Sequence, residues 1–560
     1  MTDDIQVLII GAGPTGLTLA VELARRGVPL RIIDAAQEPS PHSRALTIHA
    51  KSLELMEDMG LLEEFLSAGT RIHALNVYAE GKRLTHLSFE DGSSTFPFVL
   101  SIPQSDTERI LTEALKRFGV EVERGVRLER LTVVHPELAS AQLTLADGSP
   151  EELEVSWVVG CDGAHGVVRG ELGLELEGRA HQENFAIADV HIAWSMPDDE
   201  MLSFLSPEGT LAMLPTPGEG RYRIVAEVGQ GEEFDPSLDG LQKLIKRSAM
   251  RATLSDPTWI TNFRIHRQMV RRYRKGPVFL AGDAAHVHSP IGGQGLNTGV
   301  QDAYNLAWKL ALVVQKHAYV SLLDSYEAER LPIAASTLES TDRATRAISL
   351  RSGLSQQLRS NLASVLSNFE VIQQRLTDRL GMLNLNYRQS PIVDQHREAI
   401  TSARLLPSRS SEAPSWRDWV DFGAAPVPGD RIPDVVYDEN PDRSPKRLFS
   451  LLKDTRHHLL LFDGQAQTSE GYRNMERVGR LVQNRFGHHM QVHMIIPGSR
   501  RPATLRWRGS VVQDVDSALH QRFGAGADCL YLIRPDGYIA YRSQPSDMRL
   551  LFRYLDRIFI

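Results

Sequence analysis

The chain has 560 residues, of which 42% are hydrophobic and 24% are charged, a composition typical of globular proteins with more than one domain. The net charge of −8 gives no electrostatic reason to expect nucleic acid or an anionic membrane as a partner. The two cysteines, Cys161 and Cys529, are too few for a disulfide framework or a thiolate metal site, which fits a cytoplasmic protein. The opening MTDDIQVLIIGAG carries acidic residues where a signal peptide would be basic, and no run of about 18 apolar residues predicts a membrane span.

A glycine-rich turn between a strand and a helix opens the chain. The predicted elements are a strand at Gln6–Ile10, a helix at Leu17–Arg26 and a strand at Leu30–Ile33. Gly11, Gly13 and Gly16 form the pattern G-x-G-x-x-G, and Asp34 follows the second strand. In dinucleotide-binding folds the first glycine makes the turn, the second admits a pyrophosphate, and the third lets helix and strand pack closely. The aspartate suits a ribose diol. These residues alone do not separate FAD from NAD, and a ligand-free turn is the alternative.

The elements further along the chain alternate between mixed α/β and antiparallel patterns. Helices are predicted at 45–65 and 107–118, and a buried strand at 155–159 ends in GCDGAHGVVR. Between residues 185 and 228, short alternating runs separated by MPDD, SPEG and TPGEG indicate antiparallel strands. The α/β pattern resumes at GPVFLAGDAA, and residues 294–380 show a sequence pattern typical of helices.

These patterns predict an α/β protein in which a Rossmann-like dinucleotide-binding domain is interrupted by an inserted antiparallel sheet and followed by a small separate α/β domain. The predicted boundaries are 1–180 for the first part of the dinucleotide-binding domain, with 72–105 as a candidate to join the inserted sheet, 181–270 for that sheet, 271–400 for the second part and a helical region, 401–443 for a linker, and 444–560 for the terminal domain. The linker is predicted because its text is rich in Pro, Ser, Asp and Arg.

A second glycine-rich loop, in AGDAAHVHSPIGGQGLNTG, separates the candidate cofactors. Asp283 follows an apolar strand at 278–281, so its carboxylate is expected at the carboxyl end of the sheet, where ligands bind in this architecture. A second acidic strand end suits the hydroxyls of a ribityl chain. The next helix opens with the backbone N–H groups of Leu296, Asn297 and Thr298, and its positive end stabilises the negative charge of a reduced flavin. The loop is interpreted as a flavin cradle, with a ligand-free connection as the alternative.

Several separate motifs in residues 5–345 resemble one family. They are IIGAGPTGLTLAVELARRG, SRALTIHAKSLELMEDMGL, IPQSDTERIL, VVGCDGAHGVVR and VFLAGDAAHVHSPIGGQGLNTGVQDAYNLAWKLA, continued by YEAERLP. Together they are similar to the FAD-dependent aromatic hydroxylases, the single-component flavoprotein monooxygenases of the p-hydroxybenzoate hydroxylase type. The C-terminal part, with YLIRPDGYIAYR, resembles the thioredoxin-like domain at the end of the phenol and polyketide hydroxylase branch.

The resemblance implies further site residues. Arg44 and Gln104 are implied to contact the FAD, Asp162 to lie in a motif linked to both FAD and NAD(P)H, and Asp283 to bind the ribityl chain. The residues implied to surround the flavin ring are Pro290, Gly293, Gly295, Leu296 and Asn297. Arg44 and Pro290 are also catalytic candidates. The alternatives are a solvated surface charge for Arg44 and a simple turn residue for Asp162.

The chain also departs from the family. The segment ALTIHA after Arg44 has no carboxylate to take a phenol proton, although His49 in that segment is a catalytic candidate for proton transfer, with a helix-surface role as the alternative. His286 and His288 lack a neighbouring Cys, Asp or Glu ligand set, so no metal site is predicted. The terminal domain has no Cys-x-x-Cys, so no thiol chemistry is expected there, and Cys529 is predicted to be a small buried hydrophobic residue.

The resemblance implies an enzyme that uses NAD(P)H and O₂ to hydroxylate an aromatic substrate, phenolic or polycyclic, through a flavin hydroperoxide. The expected partners are a small aromatic molecule and O₂, without nucleic acid or membrane, and a homodimer is one open option for the oligomeric state. The alternatives are Baeyer–Villiger oxidation or epoxidation of a polycyclic compound, and a non-catalytic flavin-binding scaffold. A halogenase is disfavoured because the chain has no W-x-W-x-I-P stretch. The missing carboxylate favours a larger polycyclic or already acidic phenol as the substrate.

Overall fold

The computed structural model of the chain describes residues 5–40, 45–79, 81–90, 92–206, 209–228, 234–247, 252–288, 292–349, 370–398, 415–439, 444–464 and 469–560. The chain divides into two compact units. Unit 1 comprises residues 1–307 and 330–383, and unit 2 comprises residues 308–329 and 384–560. Among the described residues, no helix is both long enough and apolar enough to cross a membrane.

Unit 1 contains most of the strands. In chain order they are β1 (Val7–Ile10), β2 (Leu30–Asp34), β3 (Thr47–Ile48), β4 (Thr70–Ile72), β5 (Ala74–Ala79), β6 (Lys82–Ser88), β7 (Val99–Ser101), β8 (Val122–Arg124), β9 (Arg127–His135), β10 (Leu138–Thr144), β11 (Pro150–Val155), β12 (Trp157–Gly160), β13 (Glu177–Ala193), β14 (Glu200–Ser206), β15 (Gly209–Pro215), β16 (Arg221–Val228), β17 (Thr253–Met269), β18 (Arg274–Lys275), β19 (Val278–Leu280) and β20 (His286–Val287). The helices up to residue 380 are α1 (Pro14–Arg25), α2 (Ala50–Asp58), α3 (Leu62–Ala68), α4 (Gln104–Lys116), α5 (Val167–Glu171), α6 (Leu238–Arg247), α7 (Gln294–Val314), α8 (Asp324–Ser349) and α9 (Glu370–Leu380).

A six-stranded sheet with the order β18-β19-β12-β1-β2-β8 forms the dinucleotide-binding part of unit 1. Its inner strands β19, β12, β1 and β2 run parallel to one another, so their carboxyl ends meet at one edge. β1, with the sequence VLII, is buried along its whole length, as the apolar text predicted. Helix α1 begins at Pro14, where a missing backbone N–H costs nothing because the first turn has no partner for it.

An eight-stranded sheet with the order β20-β17-β13-β16-β15-β14-β5-β6 lies in the same unit. Most neighbouring strands are antiparallel, as the short runs of alternating apolar and polar residues predicted, whereas β5 and β14 pair in parallel. The strands β5 and β6 come from the 72–105 stretch that was a candidate to join this sheet. One face of the sheet packs against α6 in an apolar core that includes Val190, Met213, Ile224 and Leu241.

Unit 2 contains a second mixed sheet with the order β21-β28-β27-β24-β25-β26. Its strands in chain order are β21 (Asp394–Arg397), β22 (Val436–Tyr437), β23 (Lys446–Arg447), β24 (His457–Phe462), β25 (Met490–Pro497), β26 (Ser510–Asp514), β27 (Cys529–Ile533) and β28 (Ile539–Gln544). The helices from residue 415 on are α10 (Trp416–Ala424), α11 (Leu448–Leu451), α12 (Ser469–Phe486), α13 (Ala518–Arg522) and α14 (Met548–Leu555). Cys529 is fully buried in the core of this unit, which confirms the prediction of a small buried hydrophobic residue.

The described part of the stretch expected to be linker, residues 415–439, is more structured than its composition indicates. Helix α10 begins with a capping box in which Ser415 accepts a hydrogen bond from the backbone N–H of Asp418. Phe422 and Ile432 are fully buried in the same apolar core as Cys529. Their burial explains why a Pro-rich and Ser-rich stretch is ordered here, because two apolar anchors hold it against the sheet.

Some predicted helices are shorter than the periodicity implied. The single helix predicted at 45–65 is divided into β3, α2 and α3. Thr47 and Ile48 pair with β7, and Gly60, with a φ of 73°, follows the end of α2. Helix α7 likewise ends before Lys316, which adopts a φ of 61°. Tertiary pairing and left-handed residues therefore interrupt patterns that look continuous in sequence.

Candidate active site

The turn between β1 and α1 has two glycines that the fold requires and one that faces open space. Gly11 has a φ of 101°, and a Cβ there would overlap the Cys161 carbonyl and lie 2.9 Å from the Cα of Asp162. A Cβ on Gly16 would overlap the Gly11 carbonyl oxygen. A Cβ on Gly13, in contrast, would meet nothing within 4 Å. The backbone at Gly13 is therefore accessible to an anion, and nothing in the packing of the described chain explains its lack of a side chain.

Asp34 lies beside this turn at the end of β2. Its Oδ2 accepts a hydrogen bond of 2.8 Å from the backbone N–H of Ala12, and its Oδ1 accepts one of 2.8 Å from Ala36. The Arg124 guanidinium lies 3.4 Å from Oδ2. Because a carboxylate offers about four acceptor positions, these bonds fix the side chain and still leave capacity for the hydroxyls of a ribose.

Gln104 is the first residue of α4 and lies close to the segment after Arg44. Its Oε1 accepts a hydrogen bond of 3.3 Å from the backbone N–H of Ala45, and its Nε2 donates to Glu108 over 2.8 Å. Arg44 itself lies outside the described residues. The contact places Gln104 against the chain segment that carries Arg44.

Asp162 follows β12 and is next to the Gly11 turn. Its Oδ2 accepts a hydrogen bond of 3.0 Å from the backbone N–H of Val168, in the first turn of α5. Its Oδ1 is buried and has no hydrogen-bond partner among the described residues. Burial raises the pKa of the Asp162 carboxyl. A Cβ on Gly166 would overlap this carboxyl group, so the glycine makes room for it.

Asp283 lies in a short 3-10 turn, Gly282–Ala284, that follows β19. Its side chain is exposed, while both neighbours in the turn are buried. Because β19, β12, β1 and β2 are neighbours in one sheet, this turn shares the carboxyl edge with Asp162, the Gly11 turn and Asp34. The structure therefore brings together the acidic and glycine residues that the sequence predicted for one cofactor.

The start of α7 is fixed by the side chain of Asn297. The fully buried Asn297 amide donates to the carbonyl oxygens of Thr47 and Gly293, both over 2.8 Å, and accepts from the backbone N–H of His49 over 2.9 Å. Gly293 has a φ of 62°, and a Cβ there would overlap the Thr47 hydroxyl. The amide of Asn297 is thus committed to the protein, which leaves the backbone at the helix start for a ligand. Gly295 and Leu296 are half-buried in this first turn, and Pro290 lies outside the described residues.

Comparison with known proteins decides which cofactor this edge serves. A family model described as an FAD binding domain matches residues 4–341, and a model described as the C-terminal domain of aromatic-ring hydroxylases matches residues 425–559. The chain belongs to the FAD-dependent aromatic-ring hydroxylases. The resemblance inferred from the motifs is thereby confirmed, and so is the prediction of an enzyme.

Relatives of this hydroxylase match along its whole length. The 6-methylpretetramide 4-monooxygenase of Streptomyces rimosus is 35% identical over 100% of this chain and 94% of its own length. The pentachlorophenol 4-monooxygenase of Sphingobium chlorophenolicum is 32% identical over 100% of this chain and 97% of its own length. Among solved structures, the anhydrotetracycline hydroxylase from Streptomyces rimosus superposes with a TM-score of 0.72 at 27% identity and covers 99% of both chains.

The residues of this hydroxylase fit FAD. The open space at Gly13, the fixed carboxylate of Asp34 and the exposed carboxylate of Asp283 lie along one sheet edge, as a long dinucleotide requires. The buried Asp162 Oδ1, with no partner in the described part of the chain, is an acceptor available to a ligand. FAD is the cofactor of this enzyme class and NAD(P)H its co-substrate. A non-catalytic scaffold is not favoured, because the relatives are monooxygenases.

His49 lies in a different environment from the helix surface that was the alternative for it. It is buried at the residue before α2, and its Nε2 donates a hydrogen bond of 2.8 Å to the Gly292 carbonyl oxygen. A carbonyl can only accept, so Nε2 carries the proton and Nδ1, which has no partner among the described residues, does not. Burial lowers the pKa of His49 below its ordinary value. The ring is therefore neutral and supports the loop that leads into α7.

Sequence reasoning missed a buried charged cluster behind the Asp283 turn. Asp302 and Arg330 are both fully buried and form an ion pair with an Nε–Oδ1 distance of 2.6 Å. His286 also contacts Asp302, with its Nε2 2.6 Å from Oδ2, and its ring lies 4.7 Å from that of His288. Burial and the neighbouring His286 lower the pKa of His288 well below its ordinary value. The available signal was that Asp302 and Lys309 are the charged residues of an otherwise uncharged helix, which indicates buried charges that need partners.

The part of the chain that the structure describes contains no group of three or more His, Cys, Asp or Glu side chains that could hold a metal ion. The two histidines that flank the cradle instead contribute a hydrogen bond to Asp302 and a ring contact to each other.

Proposed function

We propose that this protein hydroxylates a phenolic ring of a polycyclic, polyketide-type substrate, with O₂ as the oxygen source. The observation that carries the proposal is the whole-chain likeness, at 35% identity, to a monooxygenase whose named substrate is 6-methylpretetramide. The likeness to a solved anhydrotetracycline hydroxylase over 99% of both chains supports the same substrate class. Baeyer–Villiger oxidation and epoxidation are not favoured, because the family model of the terminal domain and the similar solved structure are both named for hydroxylation.

The cofactor residues are assigned from the sheet edge. The backbone at Gly13 receives the pyrophosphate, Asp34 the adenosine ribose, and Asp283 the ribityl chain, each supported by its place at a strand end. Asp162 accepts a hydrogen bond from the cofactor through Oδ1, which has no partner within the described ranges. Bound FAD supplies the chemistry that the side chains lack, namely acceptance of a hydride from NAD(P)H and activation of O₂.

The start of α7 holds the flavin ring. This helix has 21 residues, and its first turn, with Gly295, Leu296 and Asn297, presents backbone N–H groups that have no partner within the helix, together with the positive end of the helix dipole. Such an end stabilises a negative charge by about 1 kcal/mol. Gly11 and Gly16 shape the turn opposite, while Gln104 and the residues outside the described ranges, Arg44 and Pro290, keep the contacts that the family resemblance implies.

Two of the three carboxylates of α2 are already engaged by other side chains. Asp58 binds Arg25 over 3.2 Å and accepts from the Tyr304 hydroxyl, and Glu54 accepts from the Ser94 hydroxyl over 3.0 Å. His49 is neutral and donates to Gly292, so we assign it to positioning the loop. These engaged side chains favour a phenol that ionises without help from the protein, as an acidic phenol within a fused ring system does.

A single-ring phenol is the second candidate. The pentachlorophenol 4-monooxygenase is also similar along the whole chain, at 32% identity, and its named substrate is a strongly acidic phenol. Both candidates thus share acidity and differ in size. Tetracyclic polyketide phenols and single-ring chlorophenols are therefore compared in one assay, which follows NAD(P)H consumption and the gain of one ¹⁸O atom from ¹⁸O₂ in the product.

The assay has two decisive results. Labelled product from the tetracyclic compounds, with NAD(P)H use coupled to product, supports the proposal, and coupled turnover of chlorophenols alone transfers the assignment to the second candidate. A protein that binds no FAD, or that incorporates no label from either set, contradicts the proposed function. The colour of the purified protein gives the first result, because a protein with bound FAD is yellow and one without it is colourless.

The proposal extends to the location and assembly of the enzyme. We infer a cytoplasmic enzyme because Cys161 and Cys529 are both free thiols and because NAD(P)H is an intracellular reductant. A homodimer is proposed as the working assembly, and light scattering after size-exclusion chromatography, with the chain mass of 62.5 kDa as the monomer reference, tests it.

A further inference from the structure

The Asp302 carboxylate lies in the middle of α7 and holds the turn that carries Asp283. Its Oδ2 accepts a hydrogen bond of 3.1 Å from the backbone N–H of Gly282, and one of 2.6 Å from the Nε2 of His286. Gly282 precedes Asp283, and His286 lies just beyond the turn. One buried carboxylate therefore contacts the Asp283 turn from both of its ends.

Arg330, on α8, binds both this carboxylate and the N-terminal part of α7, which carries the flavin cradle. Its Nε donates to the Oδ1 of Asp302 over 2.6 Å, and its Nη2 donates to the carbonyl oxygen of Thr298 over 3.2 Å. Thr298 lies in the first part of α7, close to the cradle residues. Burial would raise the pKa of Asp302, but the Arg330 charge and His286 lower it below its ordinary value, so Asp302 is an anion.

The Asp283 turn also has little space in which to move. Gly282 has a φ of 61°, and a Cβ there would lie 2.5 Å from the Thr15 hydroxyl oxygen. A Cβ on Gly299 of α7 would overlap the same hydroxyl and lie 3.2 Å from the Cα of Gly282. The turn is thus packed between α1 and α7 while Asp302 binds it from behind.

We propose that Asp302 is a positioning residue for FAD, which fixes the Asp283 turn at the ribityl chain and, with Arg330, locks that turn to the flavin cradle on α7. The inference rests on the cofactor placement given under the proposed function. A buried ion pair is weak support for stability, because apolar side chains of similar volume often stabilise a core as well. The partners of this pair lie instead on the elements that face the cofactor, which indicates a positional role.

The test compares the affinity for FAD with that for ADP, which represents the adenosine half of the cofactor. Asp302→Asn keeps the shape of the side chain but removes the charge, so the turn and the cradle lose their common anchor. We expect the dissociation constant for FAD to rise at least tenfold. The affinity for ADP, measured by competition against FAD, should change less than twofold, because its diphosphate and adenosine lie at Gly13 and Asp34. The visible circular dichroism of the bound flavin should change as well, because the ring cradle shifts.

Matched variants show whether a general loss of stability explains the result. Lys309→Met removes another fully buried charge from α7, while its partner Glu329 retains the Arg534 guanidinium at 2.6 Å and 2.8 Å. This control should lower the melting temperature of the apoprotein and leave the ratio of FAD to ADP affinity within twofold. The double variant Asp302→Asn/Arg330→Gln removes both charges, and Arg330→Lys keeps the charge but loses the two-pronged geometry. Both should show the FAD-selective loss.

Each outcome decides the inference. A loss of affinity for FAD but not for ADP in Asp302→Asn supports the proposal. If Asp302→Asn does not fold, the same selective loss in Asp302→Asn/Arg330→Gln and Arg330→Lys supports it. Equal weakening of FAD and ADP, unchanged FAD affinity, or failure of all three cluster variants to fold overturns it, because the cluster would then serve only the fold. A parent chain that does not bind FAD would contradict the proposed function itself, so the two failures are distinguishable.

Discussion

The substitution Gly13→Val tests whether the open space at the first turn is the pyrophosphate site. Gly13 has a φ of −76° and a ψ of −178°, values that any residue adopts, and a Cβ there meets nothing within 4 Å. Valine therefore fits the apoprotein without strain. Its methyl groups would occupy the space through which a phosphate approaches the backbone, so the variant should fold and lose FAD.

The size of the effect follows from the bonds that valine prevents. Losing two hydrogen bonds to a charged phosphate, at roughly 1.5 kcal/mol each, weakens FAD binding by about 3 kcal/mol, or about 100-fold. The apoprotein should lose about 1 kcal/mol at most, because valine is a poorer residue than glycine before a helix. Gly11→Ala is the matched control: its φ of 101° and the overlap with Cys161 predict a loss of roughly 2–4 kcal/mol in the apoprotein itself.

Two measurements separate these effects. Urea unfolding of the apoproteins gives the stability, and quenching of flavin fluorescence gives the FAD affinity. The reasoning is refuted if Gly13→Val binds FAD within threefold of the parent, since the pyrophosphate would then lie elsewhere. It is also refuted if Gly11→Ala is as stable as the parent, since the packing against Cys161 would then be wrong.

Three further predictions concern single side chains. Cys529→Ser should leave turnover within about twofold of the parent, because the thiol serves packing; a loss beyond tenfold in a folded, FAD-loaded variant would assign it to the chemistry. His49→Phe should lower coupled product formation about tenfold, the value of one neutral hydrogen bond, by freeing Gly292, while FAD content stays full; unchanged coupling would contradict the positioning role. Burial and His458 lower the pKa of His493 to about 3. Between about pH 6.5 and 3 the unfolded chain therefore binds more protons than the folded chain, and stability falls as the pH falls. His493→Gln should make the melting temperature less dependent on pH in that range, and an equally steep profile would count against this cause.

The elements that the sequence predicted well are those with a single pattern of apolar residues and a clear residue signal at their end. The apolar run before Gly11 became β1, the amphipathic stretch after it became α1, and Asp34 ended β2. The failures arose where tertiary pairing decides the backbone. Thr47 and Ile48 form a two-residue strand because β7 lies beside them, and no local pattern in so short a segment indicates that partner.

The residues of the candidate site also fall into those that the sequence predicted and those that it did not. The carboxylates at strand ends were predictable, because parallel strands bring their carboxyl ends to one edge whatever the rest of the chain does. The side-chain partners of Asn297 were not, since its amide binds Thr47 and His49, about 250 residues away in sequence, as well as the nearby Gly293. Asp302 was missed for a related reason: a charge on a helix normally predicts an exposed face, and only its isolation on an apolar helix indicates burial. Arg330 lies among other charged residues on α8, so no such signal marked it as buried.

The antiparallel sheet is inserted between two strands that remain neighbours, and this ties the inserted sheet to the edge proposed for the cofactor within unit 1. β12 and β19 pair in parallel, with Val158 opposite Val278, although β13–β17 separate them along the chain. β17 then pairs with β20, with Met269 opposite His286, directly beyond the Asp283 turn. The edge of the inserted sheet is thus hydrogen-bonded to the segment that Asp302 fixes. β14 and β15 lie several strands away from that edge, so we expect substitutions in them to leave the Asp283 turn in place.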